Sequence, residues 1–307
     1  MLRIRLPLLA FAATALSASP LLAQRAKLLP AAHVETMELS GNLPTSGTLG
    51  GLSVDADGNL YVANFLKRIY RVSPAGKVTL LNGSFVTASG NSIAPDGRLM
   101  QSDFGLNRVY AVDTETGSRT VLLNRGLNGP VGVVMAPDGN LFVANCNGQT
   151  IKVGTPGIKQ ASNFASSSLF NCPNGLVLAP TGDLFAINFF DNNLLRIDPA
   201  GTVTLFATLG TQNLGGGHIA FINDTLYVSM FNSHAVYSVT LGGKIELVAG
   251  KEGAPGLSDG AMPHARLRYP NGIAADPGGR FLYTNNLEGP RNGSSPGRQR
   301  IRRLLLP

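Results

Sequence analysis

A unit of about 40 residues recurs along this chain and constrains its fold more than any other feature. In the clearest copy, residues 129–153, an apolar run is followed by a Pro-Asp-Gly turn, an alternating run, a polar loop and a third run. The turn recurs at intervals of 39 to 43 residues and then after one interval of 55. It is centred on Gly58, Gly97, Gly139, Gly182, Asp224 and Gly279. Repeats of this period are typical of the blades of a β-propeller.

The runs between the turns predict short β-strands, because they are rich in Val and aromatic residues and end at Gly, Pro, Asn or Asp. Six units therefore predict an all-β fold, a six-bladed β-propeller. The last unit has a third strand at residues 299–306 and no fourth, whereas residues 33–39 have a strand pattern ahead of the first unit. We expect this N-terminal strand to close the last blade and remove exposed sheet edges. Residues 249–270 form the one long insertion.

The first 23 residues have the pattern of a secretory signal peptide. Two arginines precede a short apolar run, which ends at a small residue, Ala23. The run is too short to span a bilayer, and an amphipathic terminal helix is the alternative interpretation. We expect the mature protein, residues 24–307, to be a single propeller domain. It should be a monomer without a membrane span, in a periplasmic or secreted location.

The formal charge of +7 is concentrated at the two ends of the chain. Arg3 and Arg5 lie in the leader, and five arginines lie between residues 291 and 303, so the remaining body is neutral. The chain also lacks Trp. This distribution argues against a nucleic-acid partner. We interpret residues 299–306 as a terminal strand with a solvated arginine face.

Two groups of motifs resemble known families. Residues 248–286 resemble an NHL repeat, with its Gly, Asp-Gly, Ala-Arg and Pro-x-Gly-Ile-Ala positions in order. Residues 91–123 and 174–188 are similar to the senescence marker protein/gluconolactonase (regucalcin-like) family. Both groups are six-bladed propellers, and the resemblance covers roughly residues 50–305.

Regucalcin-like lactonases hold a divalent cation with four oxygen ligands. The residues that supply them lie at the entry to the innermost strands. The corresponding positions here are Gly50, Ser89, Val131, Asn174, Gly216 and Asn271. Gly50 and Gly216 replace the family's Glu and Asp, so only Asn174 matches. We therefore expect no cofactor and no tight metal site, with a divalent cation such as Ca²⁺ at Asn174 as the alternative. Asn174 and Asn271, each followed by Gly, are equally compatible with a simple turn into the strand.

A second set of positions, at the ends of the second strands, falls on the same open face. It contains Asn64, Asp103, Asn145, Asn188, Met230 and Asn286, followed in turn by Phe65, Phe104, Cys146, Phe189, Phe231 and Leu287. Polar groups beside aromatic walls are typical of small-molecule sites. We predict a ligand site from this ring, with Asn174, Asn271 and His218. The alternative is that the amides cap their own loops, that the rings pack between blades, and that His218 and His234 are ordinary polar residues.

The two cysteines, Cys146 and Cys172, fall in loops on this same face. In an exported protein such a pair predicts a disulfide, and a thiol nucleophile with a resolving partner is the alternative. The chain has neither a Gly-x-Ser-x-Gly elbow nor a His-Glu-x-x-His motif. No catalytic residue is therefore assigned.

These observations favour an exported recognition module rather than an enzyme. We expect its channel mouth to bind an unidentified small polar molecule or a partner protein. The alternative is a gluconolactonase-like hydrolase with a site rebuilt around Asn174, Asp103 and His218.

Overall fold

The computed structural model describes residues 33–44, 48–155, 157–211, 215–261, 264–289 and 297–306. These residues form strands, turns and loops, and no helix occurs among them. Nothing in these segments is therefore a helix that could cross a membrane. The signal peptide predicted for residues 1–23 lies outside the described residues.

Successive antiparallel sheets along the chain confirm the six-bladed β-propeller. Strand β1 (His33–Thr36) precedes the first blade. Blade one contains β2 (Leu52–Val54), β3 (Leu60–Ala63), β4 (Ile69–Val72) and β5 (Val78–Asn82). Blade two contains β6 (Ala88–Ile93), β7 (Leu99–Asp103), β8 (Arg108–Val112) and β9 (Arg119–Leu123). Blade three contains β10 (Pro130–Met135), β11 (Leu141–Asn145), β12 (Thr150–Gly154) and β13 (Ala161–Ser166).

The remaining blades follow the same order from the channel outwards. Blade four contains β14 (Pro173–Leu178), β15 (Leu184–Asn188), β16 (Asn193–Ile197) and β17 (Val203–Thr208). Blade five contains β18 (Gly216–Ile222), β19 (Thr225–Met230), β20 (Ala235–Thr240) and β21 (Ile245–Gly250). The long insertion forms β22 (Gly260–Ala261), and blade six continues with β23 (Ile273–Ala275), β24 (Phe281–Leu287) and β25 (Gln299–Leu305).

The N-terminal strand closes the last blade, as predicted. β1 pairs antiparallel with β25, from His33 opposite Leu305 to Thr36 opposite Arg302. β1 ends at Thr36 rather than at residue 39. The insertion adds a fifth strand that the sequence did not predict, because β22 pairs with the outer side of β1. The insertion thus covers the edge that β1 would otherwise expose.

Arg302 of β25 is fully buried and joins the insertion to the closing strand. Its guanidinium donates to the backbone oxygens of Arg266 and Ser258 at 3.0 and 3.1 Å, and to the Asp259 carboxylate at 2.6 Å. Asp259 also accepts from the backbone N–H and the hydroxyl of Thr36, both at 3.0 Å. Burial works to raise the pKa of Asp259, but the Thr36 hydrogen bonds and the Arg302 charge hold it below its ordinary value.

The basic C-terminal strand differs from the predicted solvated arginine face. Arg302 is buried because the insertion covers it, and Arg300 and Arg303 are partly buried. Arg300 pairs with Glu288, and Arg303 pairs with Glu35 of β1. Each arginine of this strand therefore has a carboxylate partner, so the strand offers little free positive charge to a nucleic acid.

Six glycines at the innermost strands set the width of the central channel. They are Gly51, Gly90, Gly132, Gly175, Gly217 and Gly272. A methyl group added at Gly51 would lie 2.7 Å from the backbone N of Asn91, and one at Gly272 would lie 2.5 Å from that of Leu52. Each glycine thus lets its blade approach the backbone of the next.

Candidate functional site

A cavity of about 240 Å³, the mouth cavity, opens at one end of the channel. It is formed where residues entering the innermost strands meet the loops that follow the second strands. Its lining contains Thr48, Leu49, Gly50, Phe65, Ser89, Phe104, Val131, Cys146, Asn147, Cys172, Asn174, Phe189, Phe190, His218, Phe231 and Asn271. Within the described part of the chain, no Asp, Glu, Lys or Arg side chain lines it. The cavity is therefore mainly apolar.

Aromatic rings form most of its wall. Phe65 and Phe104 lie with ring centroids 5.8 Å apart, and Phe189 and Phe231 lie 6.4 Å apart. These tilted arrangements are within the range that aromatic pairs prefer. Phe190, which the sequence analysis did not select, adds a ring 5.5 Å from Phe189. Phe190 directly follows Phe189 in the sequence, and this adjacency could have identified it as a wall residue.

Two of the wall residues have a left-handed backbone. Phe65 has φ of 51° and Cys172 has φ of 57°, conformations that are unusual for residues with large side chains. The Asn64 side chain holds the loop around Phe65, and the Gln149 side chain accepts the Cys172 N–H at 2.8 Å. Strained conformations of this kind persist where surrounding contacts fix them and occur often at binding sites.

The amides of Asn174 and Asn271 connect neighbouring blades at the base of the cavity. Asn174 Nδ2 donates to the oxygens of Gly216 and Gly217 at 2.8 and 3.0 Å. Asn271 Nδ2 donates to the oxygens of Leu49 and Gly50 at 3.1 and 2.9 Å. Neither Oδ1 accepts a hydrogen bond from a described residue. Both oxygens are therefore available as acceptors for a ligand.

His218 crosses the channel below these amides. A methyl group at Gly90, in blade two, would lie 2.8 Å from His218 Cε1. The histidine also borders a second cavity, of about 250 Å³, on its other side. Burial lowers the pKa of His218 from 6.5 to about 4. The imidazole is therefore neutral at physiological pH and separates the two cavities.

The five polar side chains of the predicted ring lie outside the mouth cavity. They are Asn64, Asp103, Asn145, Asn188 and Asn286. Asn64 Oδ1 accepts from the N–H groups of Leu66 and Arg68, both at 3.1 Å. The Asp103 carboxylate accepts three backbone hydrogen bonds of 2.9 to 3.2 Å. Asn64 thus fixes its own loop, and Asp103 fixes both its own loop and the loop that enters its blade.

The other three amides have the same structural use. Asn145 Oδ1 accepts a backbone hydrogen bond of 2.6 Å from the loop that enters its blade. Asn188 Nδ2 donates to Leu169 O at 2.8 Å, and Asn286 Oδ1 accepts from Arg268 N at 3.1 Å. His234 is similar, since its Nδ1 accepts the backbone N–H of residue 269 at 3.1 Å. Met230 is fully buried between blades four and five.

Cys146 and Cys172 form the predicted disulfide. The bond joins the loop that follows β11 in blade three to the loop that enters blade four. Both cysteines are buried with Val131 and with the partly buried Phe104 and Phe189. The disulfide thus ties two blades together and forms part of the mouth cavity wall.

The mouth residues do not fit the cation of regucalcin-like lactonases. The amide nitrogens of Asn174 and Asn271 donate to backbone oxygens, so each side chain offers a cation only one neutral oxygen. Ca²⁺ takes about six to eight oxygen ligands, commonly including carboxylates. Among the residues that the structure describes, no group of three or more His, Cys, Asp or Glu side chains could hold a metal ion.

These features define a six-bladed β-propeller with a neutral, aromatic-walled cavity at its channel mouth. No protein-family model and no curated protein sequence matches the chain. Many solved structures share its fold.

Three of these structures show the range of proteins with this fold. A gluconolactonase from Xanthomonas campestris is 16% identical, with a TM-score of 0.67 over 90% of each chain. An auxiliary nutrient binding protein from Bacteroides ovatus is 15% identical, with a TM-score of 0.70 over 89% of this chain and 76% of that one. A protein of unknown function from Bacteroides thetaiotaomicron is 17% identical, with a TM-score of 0.70 over 90% and 76%. At these identities the likeness concerns the fold alone.

Proposed function

We propose that this protein is a periplasmic or secreted binding module that holds one compact, mainly apolar group in its mouth cavity. The observation that carries the proposal is the ring of phenylalanines around a cavity without charged lining residues. Burial of an apolar group there is favourable by about 25 cal/mol for each Å² removed from water. The nutrient binding protein of similar fold supports a binding role, and the disulfide supports an oxidising compartment.

The size of the cavity limits the ligand. An apolar cavity of about 150 Å³ holds benzene, and sites for drug-sized ligands begin at about 300 Å³. The mouth cavity, at about 240 Å³, lies between them. It therefore suits a single ring or a pair of fused rings, from a small molecule or from a side chain of a partner protein.

The base of the cavity supplies its polar selectivity. Asn174 Oδ1 and Asn271 Oδ1 are acceptors without a donor among the described residues, so a ligand with an N–H or O–H group is favoured. His218 is neutral because burial lowers its pKa. A charged group would enter an apolar site without a counter-ion, which is costly. The proposed ligand is therefore neutral, with a donor at its inner end.

Fluorescence titration with indole and 2-naphthol tests this proposal. The protein has no Trp, so the fluorescence of either probe is recorded without an indole background from the protein. We expect saturable binding. Phe189→Ala and Phe231→Ala should each weaken it about tenfold, since each removes about 1.4 kcal/mol of ring contact. Val131→Phe, which fills the cavity, should abolish it.

Phe164→Ala is the matched control. Phe164 lies on the outer strand of blade three, is partly buried against Phe142, and does not line the mouth cavity. It should leave probe affinity unchanged. Binding that survives Val131→Phe in a folded variant would place the probes elsewhere and contradict the proposal.

A lactonase is the second candidate, favoured by the neutral imidazole of His218 at the cavity base and by the gluconolactonase of similar fold. The two positions expected to supply carboxylates to its cation are Gly50 and Gly216 here. We expect calorimetric titration with Ca²⁺, Mg²⁺, Mn²⁺ and Zn²⁺ to show no micromolar site. We also expect gluconolactone hydrolysis to be equal to the buffer rate with these ions and with EDTA. Metal-dependent hydrolysis that Asn174→Ala abolishes would replace the binding proposal.

A further inference from the structure

A larger cavity of about 690 Å³, the rim cavity, opens beside blade one. Its wall contains residues 42–44, Asn64, Leu66, Lys67, Arg68, Tyr70, Val86 and Arg298. Asn64 lies in this wall although the sequence analysis placed it in the mouth. The volume is within the range of about 300–1,000 Å³ that is common for small-molecule sites.

Backbone hydrogen bonds hold the segments of this wall together. Ala88 N donates to Leu66 O at 2.7 Å, which fixes the Asn64 loop against the start of blade two. Gln299 N donates to Pro44 O at 3.1 Å, which fixes the start of β25 against residues 42–44. The cavity is therefore a fixed part of the fold.

Three cations face this cavity without a counter-ion. Lys67, Arg68 and Arg298 line it, and no Asp or Glu of the described residues does. None of the three makes an ion pair within the described chain, whereas Arg300, two positions from Arg298, pairs with Glu288. Like charges that share a site repel one another, and a bound anion removes that repulsion.

The Asn64 amide adds a directed donor. Only 4% of this residue is exposed, and its Oδ1 is occupied by two backbone N–H groups. Because Oδ1 takes those donors, Nδ2 must be the free end of the amide, and it has no acceptor among the described residues. Nδ2 is not one of the buried polar atoms that lack a partner, so it contacts solvent. An acceptor atom of a ligand in the rim cavity would satisfy it.

We propose that the rim cavity binds a small molecule through an oxyanion, a phosphate or a carboxylate. Arg68 and Arg298 supply planar guanidinium donors, which match the paired oxygens of such groups. Lys67 adds a third positive charge, and Asn64 Nδ2 donates the uncharged hydrogen bond. The site is independent of the mouth cavity. It binds a negatively charged group, whereas the mouth cavity binds a neutral one.

Calorimetry at constant ionic strength, with chloride as the only other anion, tests the proposal. The probes are inorganic phosphate, glucose 6-phosphate, gluconate and glucose. We expect saturable millimolar or tighter binding of at least one oxyanion probe and none of glucose. Binding of the phosphates alone assigns a phosphate site, and binding of gluconate assigns a carboxylate site. Arg68→Gln and Arg298→Gln should each weaken binding at least about tenfold.

Asn64→Asp is the sharpest variant. Asp103 holds the corresponding position in blade two and fixes its loop with a carboxylate, so Asn64→Asp should fold. It replaces the amide donor with a negative charge and should abolish binding. Arg280→Gln removes an exposed charge in blade six and should change nothing. Absence of saturable oxyanion binding, or equal affinity in all four variants, would overturn the proposal.

Discussion

A chain that begins at Gly41 is expected to be less stable than one that begins at Gln24 by at least about 5 kcal/mol, the whole stability of many domains. The shorter chain lacks β1, which pairs with β25 at four positions. It also lacks Val34, which is fully buried in the core cluster of this blade, and the Thr36 groups that bind Asp259. The freed edge of β25 should favour aggregation. Urea unfolding and size-exclusion chromatography of both chains measure the effect.

Two single substitutions in β1 separate strand closure from a general effect of shortening. Val34→Ala should cost about 2 kcal/mol, because it removes buried methyl groups and leaves a cavity. His33→Ala should cost less than about 0.5 kcal/mol, because His33 is exposed. An unchanged urea midpoint in the Gly41 chain would show that β1 does not hold the last blade together.

The fold was predictable because its determinants are local and repeated. Each blade carries its own apolar runs and its own turn, with a glycine in five blades and Asp224 in blade five, so six weak patterns support one another. The fifth strand of the last blade was not predictable, since β22 has two residues and no alternation. The burial of Arg302 was equally hidden, because its partner Asp259 lies 43 residues away in an irregular loop.

The candidate site was less predictable than the fold. Spacing alone placed Phe65, Phe104, Phe189 and Phe231 on one face, and all four line the mouth cavity. The neighbouring amides make hydrogen bonds that fix loops, and their part in ligand binding stays a prediction. Sequence does not decide which backbone groups an Asn will contact, because those groups are positioned by the fold. The channel glycines could be seen in the sequence, because a glycine follows each residue at the entry to an innermost strand. In the sequence alone, however, such a glycine cannot be distinguished from an ordinary turn glycine.

Acidification from pH 7 to pH 4.5 is expected to remove about 2 kcal/mol of stability through His218 alone. Its pKa is about 4 in the fold and 6.5 in the unfolded chain. Between these values the unfolded chain binds the proton more tightly, so stability falls as the pH drops below 6.5. Well above pH 6.5 the histidine is neutral in both states and contributes no pH dependence. The described residues that line the two cavities beside it include no Asp or Glu that could stabilise the imidazolium.

His218→Gln isolates this effect, because glutamine keeps a polar side chain that does not titrate. Urea unfolding of both proteins at pH 7, 5.5 and 4.5 gives their stability difference at each pH. Asp55 and Asp259 have lowered pKa values and also lose stabilisation in acid, but they do so in both proteins. The difference should therefore shift by about 2 kcal/mol in favour of the variant between pH 7 and 4.5. A difference that stays constant with pH would mean that the imidazole reaches solvent in the folded protein, and the channel would then not be sealed by His218.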